Sequence, residues 1–404
     1  MLIEIDVTTT LLVAIVVLLI GRWLIGRILP LQRYNIPEPV VGGMLAAIAI
    51  TIAKVAAGTE LSFDMALQTP FMLAFFATVG LGADVRTLVR GGRGVVLFLV
   101  AIAIMLVLQN AIGLAGAFSM DLHPLNGLLA GSITMLGGHG TGAAYATQFS
   151  EVDNLQGAME LAMACATFGL VLGGIIGGPV AQRLITRHGL TPGDGSSAPS
   201  GQAGADAPSQ APRPLTLPLF LETLLLIVAC VVVGSTLGEL MKGRLLTLPP
   251  FVWTLFTGVV LRNVLGLARI REVDDDAVQL FGGVALSLFL TMALISLRLW
   301  ELVSLALPIL AILAVQTAFV AAYTSLVTFR IMGANYDAAV LAAGACGIGL
   351  GATPTAIANM QAVTNKYGPS PQAFLILPIV GAFLIDITNA LVIQGYLGLP
   401  LFGF

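Results

Sequence analysis

Two stretches, Gly131-Ser-Ile-Thr-Met-Leu-Gly-Gly-His-Gly-Thr-Gly142 and Gly344-Ala-Cys-Gly-Ile-Gly-Leu-Gly-Ala-Thr-Pro-Thr355, set how often the chain crosses a bilayer. Each lies inside a longer apolar segment, 125–148 and 338–361. The first holds five glycines, the second four glycines and Pro354. Glycine in a helix interior costs roughly 1 kcal/mol relative to alanine, and proline about 3. Continuous helices are therefore not expected here.

The surroundings are those of a membrane protein. Of 404 residues, 57% are hydrophobic and 10% charged, against about 25% charged in soluble domains. Mean hydropathy is +0.98, more apolar surface than a water-soluble chain could hide. Apolar runs predict spans near 10–29, 39–57, 70–85, 95–118 and 158–182, then near 219–240, 249–266, 278–297, 302–328 and 372–396. No basic block or zinc-like cluster supports nucleic-acid binding. Cys165, Cys230 and Cys346 lie in apolar runs without CxxC spacing, so neither a disulfide framework nor a bound metal cofactor is expected. The N-terminus lacks Lys and Arg before its first apolar run, which predicts no cleavable signal peptide.

If 125–148 and 338–361 cross, there are twelve spans; if they turn back, ten. With hairpins, the side opposite the N-terminus holds 14 Lys and Arg residues, from Arg22 to Lys366, and the near side holds Lys54, Lys242, Arg244 and Arg298. Twelve crossings would divide the same residues 10 to 8. Positive residues concentrate on the cytoplasmic side, which favours re-entrant hairpins, both termini outside and the middle of the chain inside. That middle, Gly189–Pro214, is 19 of 26 Gly, Pro, Ser or Ala and reads as a flexible linker.

An offset of 213 relates the halves: Thr10 and Gly21 land on Thr223 and Gly234, Phe76 and Thr78 on Phe289 and Thr291, Gly131 and Gly138 on Gly344 and Gly351. Five spans per half is odd, so the second repeat enters the membrane inverted, the plan of secondary transporters. The expected fold is an all-α polytopic membrane protein: a first repeat over 1–187, a linker over 188–217 and a second repeat over 218–404.

Inversion points the two glycine-rich tips at each other in mid-membrane, where irregular backbone is tolerated only against protein or a wet cavity. Broken helix N-termini and glycine backbone suit a carboxylate; freed carbonyls and hydroxyls suit Na⁺. Substrate-binding candidates are Ser132, Thr134, Gly137, Gly138, His139, Gly140 and Thr141 in the first tip, and Gly351, Thr353, Thr355 and Asn359 in the second. Asp386 stands in the last apolar run, where a charge costs at least about 2.5–3.5 kcal/mol. Asp386, Asn389, Cys346 and Gly349 are the Na⁺ candidates. The plainer readings are close helix packing for the tips, a hydrogen-bonded core role for His139 and a structural partner role for Asp386. Gln109-Asn110 and Gln316-Thr317 read as interhelical hydrogen-bonding groups, and Glu160 as a solvated helix-start acid. A membrane enzyme is disfavoured because Ser132 and His139 lack an orienting acid. A channel is a further alternative.

At the hairpins the sequence resembles the sodium/glutamate symporter family. Leu129-Ala-Gly-Ser-Ile-Thr134, Gly137-Gly-His-Gly-Thr-Gly-Ala-Ala144 and Gly349-Leu-Gly-Ala-Thr-Pro-Thr-Ala-Ile-Ala-Asn-Met360 carry the likeness, with Ile36-Pro-Glu-Pro39 and Asn335-Tyr-Asp-Ala-Ala-Val-Leu-Ala-Ala-Gly344. It covers all but the linker and departs from the family pattern at Ala345 and Ile348. The resemblance implies Na⁺-coupled L-glutamate uptake across a bacterial inner membrane, no cofactor beyond Na⁺ as coupling ion, a homodimer in the lipid bilayer and elevator-type motion. Another carboxylate, such as citrate or a dicarboxylate, is the alternative substrate.

Overall fold

The computed structural model describes residues 2–29, 31, 36–57, 60–84, 92–192, 216–241, 248–268, 273–297 and 306–400. Most of the expected linker, 193–215, and Arg298 lie outside the described residues. Eight described helices are long and apolar enough to cross a membrane. This is a multi-pass, essentially all-helical membrane protein. Two of the ten expected spans fall short of that standard. The helix Gln68–Leu81 has 14 residues, about 21 Å at the α-helical rise. The last expected span is divided into Pro371–Ile379, a π-helical turn Val380–Leu384, and Ile385–Leu397. Pro378 lies inside its first part and removes a backbone donor there.

The chain forms two compact units, each drawing segments from both halves of the sequence. The first comprises Met1–Asp84, His139–Met163 and Leu215–Leu307. It contains α1 (Val7–Ile25), α2 (Glu38–Ala57), α3 (Gln68–Leu81) and the short helix Gly138–Glu151 from residue 139 on. It also contains the helices Leu217–Met241, Pro250–Leu267 and Asp275–Ile295. Asp6 caps α1 by accepting from the Thr8 and Thr9 backbone N–H groups at 2.9 and 3.2 Å. Strands Leu2–Ile5 (β1) and Glu60–Phe63 (β2) pair in parallel, Leu2 opposite Glu60 and Ile5 opposite Phe63. These strands depart from the all-α expectation, because four-residue alternations are too short to stand out from apolar flanks.

Residues paired by the offset of 213 are alike in burial in this unit. Thr10 and Thr223, Thr78 and Thr291, Phe76 and Phe289, and Leu81 and Leu294 are all buried. Gly21 lies so close to the backbone of Glu38 and Gly42 that an added Cβ would sit 2.2 Å from the Glu38 carbonyl oxygen. Its counterpart Gly234 meets Thr254 at 2.5 Å in the same sense. Without strong hydrophobic pressure in lipid, such small-residue crossings let helices pack. Arg262 donates to the Val273 carbonyl at 2.9 Å and pairs with Asp275 at 2.8 Å. It ties two helix ends together.

The second unit comprises Val85–Gly138, Ala164–Pro214 and Pro308–Phe404. In chain order it contains α4 (Gly92–Ser119), α5 (Pro124–Leu128) with a π-helical turn at Leu129–Ile133, and, after α6 (Gly138–Glu151), α7 (Ala158–His188) from residue 164 on. With α8 (Leu217–Met241), α9 (Pro250–Leu267) and α10 (Asp275–Ile295) in the first unit, the second continues with α11 (Ala306–Tyr323), a π-helical turn at Thr324–Thr328 and α12 (Phe329–Ile331). It ends with α13 (Tyr336–Leu350), α14 (Thr353–Tyr367), α15 (Pro371–Ile379) and α16 (Ile385–Leu397). Tyr323 and Tyr396 donate their hydroxyls to the Ala101 and Val107 carbonyls, each at 2.7 Å. These bonds pin α11 and α16 to α4.

Candidate functional site

Hairpin geometry in the second half follows from glycine placement. A Cβ on Gly347 would meet the Ala356 backbone at 2.6 Å, one on Gly344 would meet Met360, and Asn359 Nδ2 reaches the Ala343 carbonyl at 3.3 Å. Residues 343 and 344 meet 359 and 360 while residue 347 meets 356, so α13 and α14 run antiparallel. Helix α13 ends at Gly351 (φ −150°, ψ −90°), and extended Ala352 leads directly into α14. Pro354 occupies the first turn of α14, where its missing N–H costs nothing.

In the first half the break comes earlier. Gly131 has φ −95° and ψ −143° inside the π-helical turn, so the helix is interrupted there. Leu136 and Gly137 donate their N–H groups to the Ser132 carbonyl, and Gly138 adopts φ +63°, a left-handed conformation that glycine adopts most readily. A Cβ on Gly138 would lie 3.4 Å from the Gly351 carbonyl oxygen. The two glycines equated by the offset of 213 meet.

Side chains behind these tips hold the interrupted backbone. Gln109 Nε2 donates to the Gly349 carbonyl at 2.8 Å. Gln316 Nε2 donates to the Gln109 and Ala130 carbonyls at 2.7 and 3.3 Å. Asn110 Oδ1 accepts from the Ser132 N–H at 2.9 Å, and Asn389 Nδ2 donates to the Ser132 carbonyl at 3.1 Å. Asn359 Nδ2 donates to the Gly173 carbonyl at 2.8 Å. Thus α4 reaches α13 and α11 the π-helical turn at Leu129–Ile133; α7 receives α14, and α16 reaches the same π-helical turn. These are the bonds that breaking helices in an apolar medium demands.

Several polar atoms are left over. Gln109 Oε1, Gln316 Oε1, Asn126 Oδ1, Asn389 Oδ1, Ser132 Oγ, Thr328 Oγ1 and Thr355 Oγ1 in this unit are buried without a hydrogen-bond partner among the described residues, as is Asn110 Nδ2. Buried polar groups are nearly always satisfied, so orphans point to ligands or water.

The expected site residues divide as follows. Ser132, Thr134, Gly137, Gly138, Cys346, Gly349, Gly351, Thr353, Thr355, Asn359, Asp386 and Asn389 belong to the second unit; His139, Gly140 and Thr141 belong to the first. Ser132 and Asn389 touch. Thr134 donates to the Leu129 carbonyl at 2.6 Å and Thr353 to the Gly381 carbonyl at 3.0 Å. Cys346 Sγ lies 3.1 Å from the Thr324 hydroxyl, while Asp386 is half-buried in the first turn of α16. His139 is buried, and Gly140 packs on Phe75 and Leu286. Glu160, read as solvated, is 7% exposed. Ala345 and Ile348 are buried in α13, with Ile348 against Gly381. Elsewhere, a cavity of about 610 Å³ lies between α7 and α11–α12 beside Arg183, Arg187 and Arg330, at helix ends and apart from the tips.

The family model described as sodium/glutamate symporter matches residues 3–369. The chain belongs to the sodium/glutamate symporter family. It is 53% identical over 402 residues to the sodium/glutamate symporter of Escherichia coli (strain K12), covering 99% of both chains, and equally so to that of Shigella flexneri. The Haemophilus influenzae sodium/glutamate symporter is 50% identical over 387 residues, 95% of each chain. Gln109 and Gln316, expected as interhelical hydrogen-bonding groups, make such bonds to Gly349 and to Gln109 and Ala130; their recurrence at similar places in the two halves was the signal in the sequence, and it did not show that both side-chain oxygens would be left without a partner among the described residues.

Proposed function

We infer that this chain carries out Na⁺-coupled symport of L-glutamate into the cell across a bacterial inner membrane. Family membership along nearly the whole chain supports the activity. A symporter moves its substrate without transforming it, so no catalytic residue or cofactor is required beyond Na⁺ as coupling ion. The observation that carries the site is the meeting of Gly138 and Gly351 within one unit.

Glutamate sits at these tips in this reading. The first turn of α14 offers backbone N–H groups without intrahelical partners, and its dipole favours a carboxylate. Thr355 adds a buried hydroxyl with no partner among the described residues. Thr353, Gly351, Gly137 and Gly138 shape the approach, and Ser132, Thr134, Asn359, His139, Gly140 and Thr141 complete the two tip sequences. Na⁺ is assigned to the region of Asp386, Asn389, Cys346 and Gly349. The inverted repeats 1–187 and 218–404, with re-entrant hairpins 125–148 and 338–361, are supported by the paired burial of offset residues and by the arginine distribution. Both termini then lie outside and the linker 188–217 in the cytoplasm. Elevator-type movement is favoured by units that each draw segments from both halves, 1–84 with 215–307 in the first and 85–138 with 308–404 in the second. A homodimer in the lipid bilayer completes the proposal.

Radiolabelled L-glutamate uptake into proteoliposomes tests the activity. Concentrative uptake under an inward Na⁺ gradient, lost when choline replaces Na⁺, is expected. Folded protein that accumulates no glutamate, or does so equally in choline, overturns it.

A further inference from the structure

Five buried side chains around the break at Gly131 form a connected set with an unusual imbalance. Gln109, Asn110, Ser132 and Gln316 are completely buried and Asn389 is 1% exposed. Hydrogen bonds already fix the amide orientations: Gln109 Nε2 on the Gly349 carbonyl, Gln316 Nε2 on the Gln109 and Ala130 carbonyls, Asn389 Nδ2 on the Ser132 carbonyl. Turning any of these amides over would set oxygen against oxygen. The orientation that satisfies the interrupted backbone therefore leaves Gln109 Oε1, Gln316 Oε1 and Asn389 Oδ1 as bare acceptors, and Ser132 Oγ is likewise without a partner among the described residues. Asn110 Nδ2 is the single orphaned donor of the set. Three amide oxygens that can only accept, with a hydroxyl free to turn its lone pairs the same way, outnumber the one amide donor, an environment that favours a cation over an anion or an apolar group.

We propose that Gln109 Oε1, Gln316 Oε1, Ser132 Oγ and Asn389 Oδ1 ligate a transported Na⁺. The assignment rests on the symport reading above and shifts Gln109 and Gln316 from packing residues to ion ligands. Neutral oxygens suit a small hard cation, and its charge needs a counterpart in a medium of low dielectric. Asp386 precedes Asn389 by three residues on α16, on the same helix face. Asp386 supplies that countercharge. The interrupted helix, the glycine break and the two glutamines thus serve one end: backbone carbonyls take the amide nitrogens so that the amide oxygens are free.

A test needs a readout separate from transport. Full-length protein in nanodiscs is unfolded thermally in a series of NaCl concentrations, with choline chloride keeping ionic strength constant and glutamate absent. Wild-type protein shows Na⁺-specific stabilisation, as any ligand of the native state must. Ser132→Ala removes an oxygen that bonds nothing else here, so the unfolding temperature in choline stays level or rises. Its half-saturating Na⁺ increases about three- to tenfold, the loss expected for one neutral ligand. Asn389→Asp keeps the acceptor and adds charge. The Ser132 carbonyl still receives the Leu136 and Gly137 N–H groups at 3.3 and 3.0 Å, so its half-saturating Na⁺ falls. Thr328→Val removes another orphaned hydroxyl of the same unit outside the set and leaves the Na⁺ response unchanged. Ser132→Ala and Asn389→Asp both matching wild type, or Thr328→Val matching Ser132→Ala, overturns the site. Absence of Na⁺-specific stabilisation and of Na⁺-driven uptake in wild type overturns the symport reading itself.

Discussion

Replacing Gly131 with alanine probes the break that organises the polar set. The new methyl carbon would lie 2.6 Å from Asn110 Oδ1, with the Asn110 Cα at 3.3 Å and the Gln109 carbonyl oxygen at 3.4 Å. The amide is the movable partner, so it swings away and abandons the Ser132 N–H that it accepts at 2.9 Å. A buried donor that loses its acceptor costs about 1–3 kcal/mol. Asn110→Ala removes the same acceptor and costs a similar amount. The double variant loses the bond once, and its smaller side chain at 110 makes room for the methyl. Its cost is expected to be close to that of the larger single change, giving a coupling energy of about 1–3 kcal/mol that favours the pair. The approach to the Asn110 Cα persists and trims the relief by a few tenths of a kcal/mol. Equilibrium unfolding in mixed micelles, followed by tryptophan fluorescence, measures all four corners of the cycle. Single costs that simply add, to within about 0.5 kcal/mol, would refute the chain from methyl to amide to Ser132.

Other perturbations bear on separate parts of the reading. Asp386→Asn should raise the half-saturating Na⁺ for uptake about tenfold or more while leaving the unfolding temperature in Na⁺-free buffer level or higher; loss of folding without a separable transport effect would assign Asp386 to structure. Thr355→Val removes a hydroxyl without a partner among the described residues, so the KM for glutamate should rise about three- to tenfold with Na⁺ stabilisation intact, and an unchanged KM would place glutamate elsewhere. A cysteine at Ser197 should react with a membrane-impermeant maleimide only from the cytoplasmic side; Cys165, Cys230 and Cys346 are buried and give little background, and external labelling would reverse the topology. Gly234→Leu would drive a side chain into the Thr254 backbone, where a Cβ alone comes within 2.5 Å, and should abolish recovery of folded protein. Gly395→Leu, with nothing within 4 Å of its Cβ position, should not.

Much of the architecture was legible because lipid simplifies the code: apolar length marks a helix, and the glycine-rich tips interrupt that rule visibly. Gly131 and Gly351 were readable as breaks because an intramembrane run gains nothing from glycine in a continuous helix. The strand pair Leu2–Ile5 and Glu60–Phe63 was hidden, since each partner is four residues long and pairing joins segments far apart in sequence. The division of the last span at Val380–Leu384 was hinted at by Pro378, but apolarity on both sides masked it. For the site, the sequence could nominate Ser132 and Asn389 separately. It could not show that they touch, because their separation of 257 residues is closed only by the packed unit. Nor could it show which end of the Gln109 amide would be free; that follows from the Gly349 carbonyl, whose own partner was lost when α13 broke.

The same amide suggests how the ion and the substrate communicate. Gln109 faces the proposed cation with Oε1 and holds the Gly349 carbonyl with Nε2, and Gly349 stands two residues before the tip at Gly351. A cation on Oε1 draws electron density from the amide and makes its N–H groups stronger donors, so the bond to Gly349 tightens as the ion binds, the cooperativity expected of hydrogen-bond chains. A firmer Gly349 fixes the end of α13 and hence the extended Ala352 that launches α14, the helix assigned to the substrate carboxylate. Linkage makes this reciprocal: if Na⁺ raises glutamate affinity by some factor, glutamate raises Na⁺ affinity by the same factor. Gln109→Glu retains an oxygen for the ion but gives up the amide donor to Gly349. It should therefore keep Na⁺-specific stabilisation while shrinking the mutual enhancement, measured by titrating each ligand at fixed levels of the other. Full enhancement in that variant would route the coupling away from Gln109.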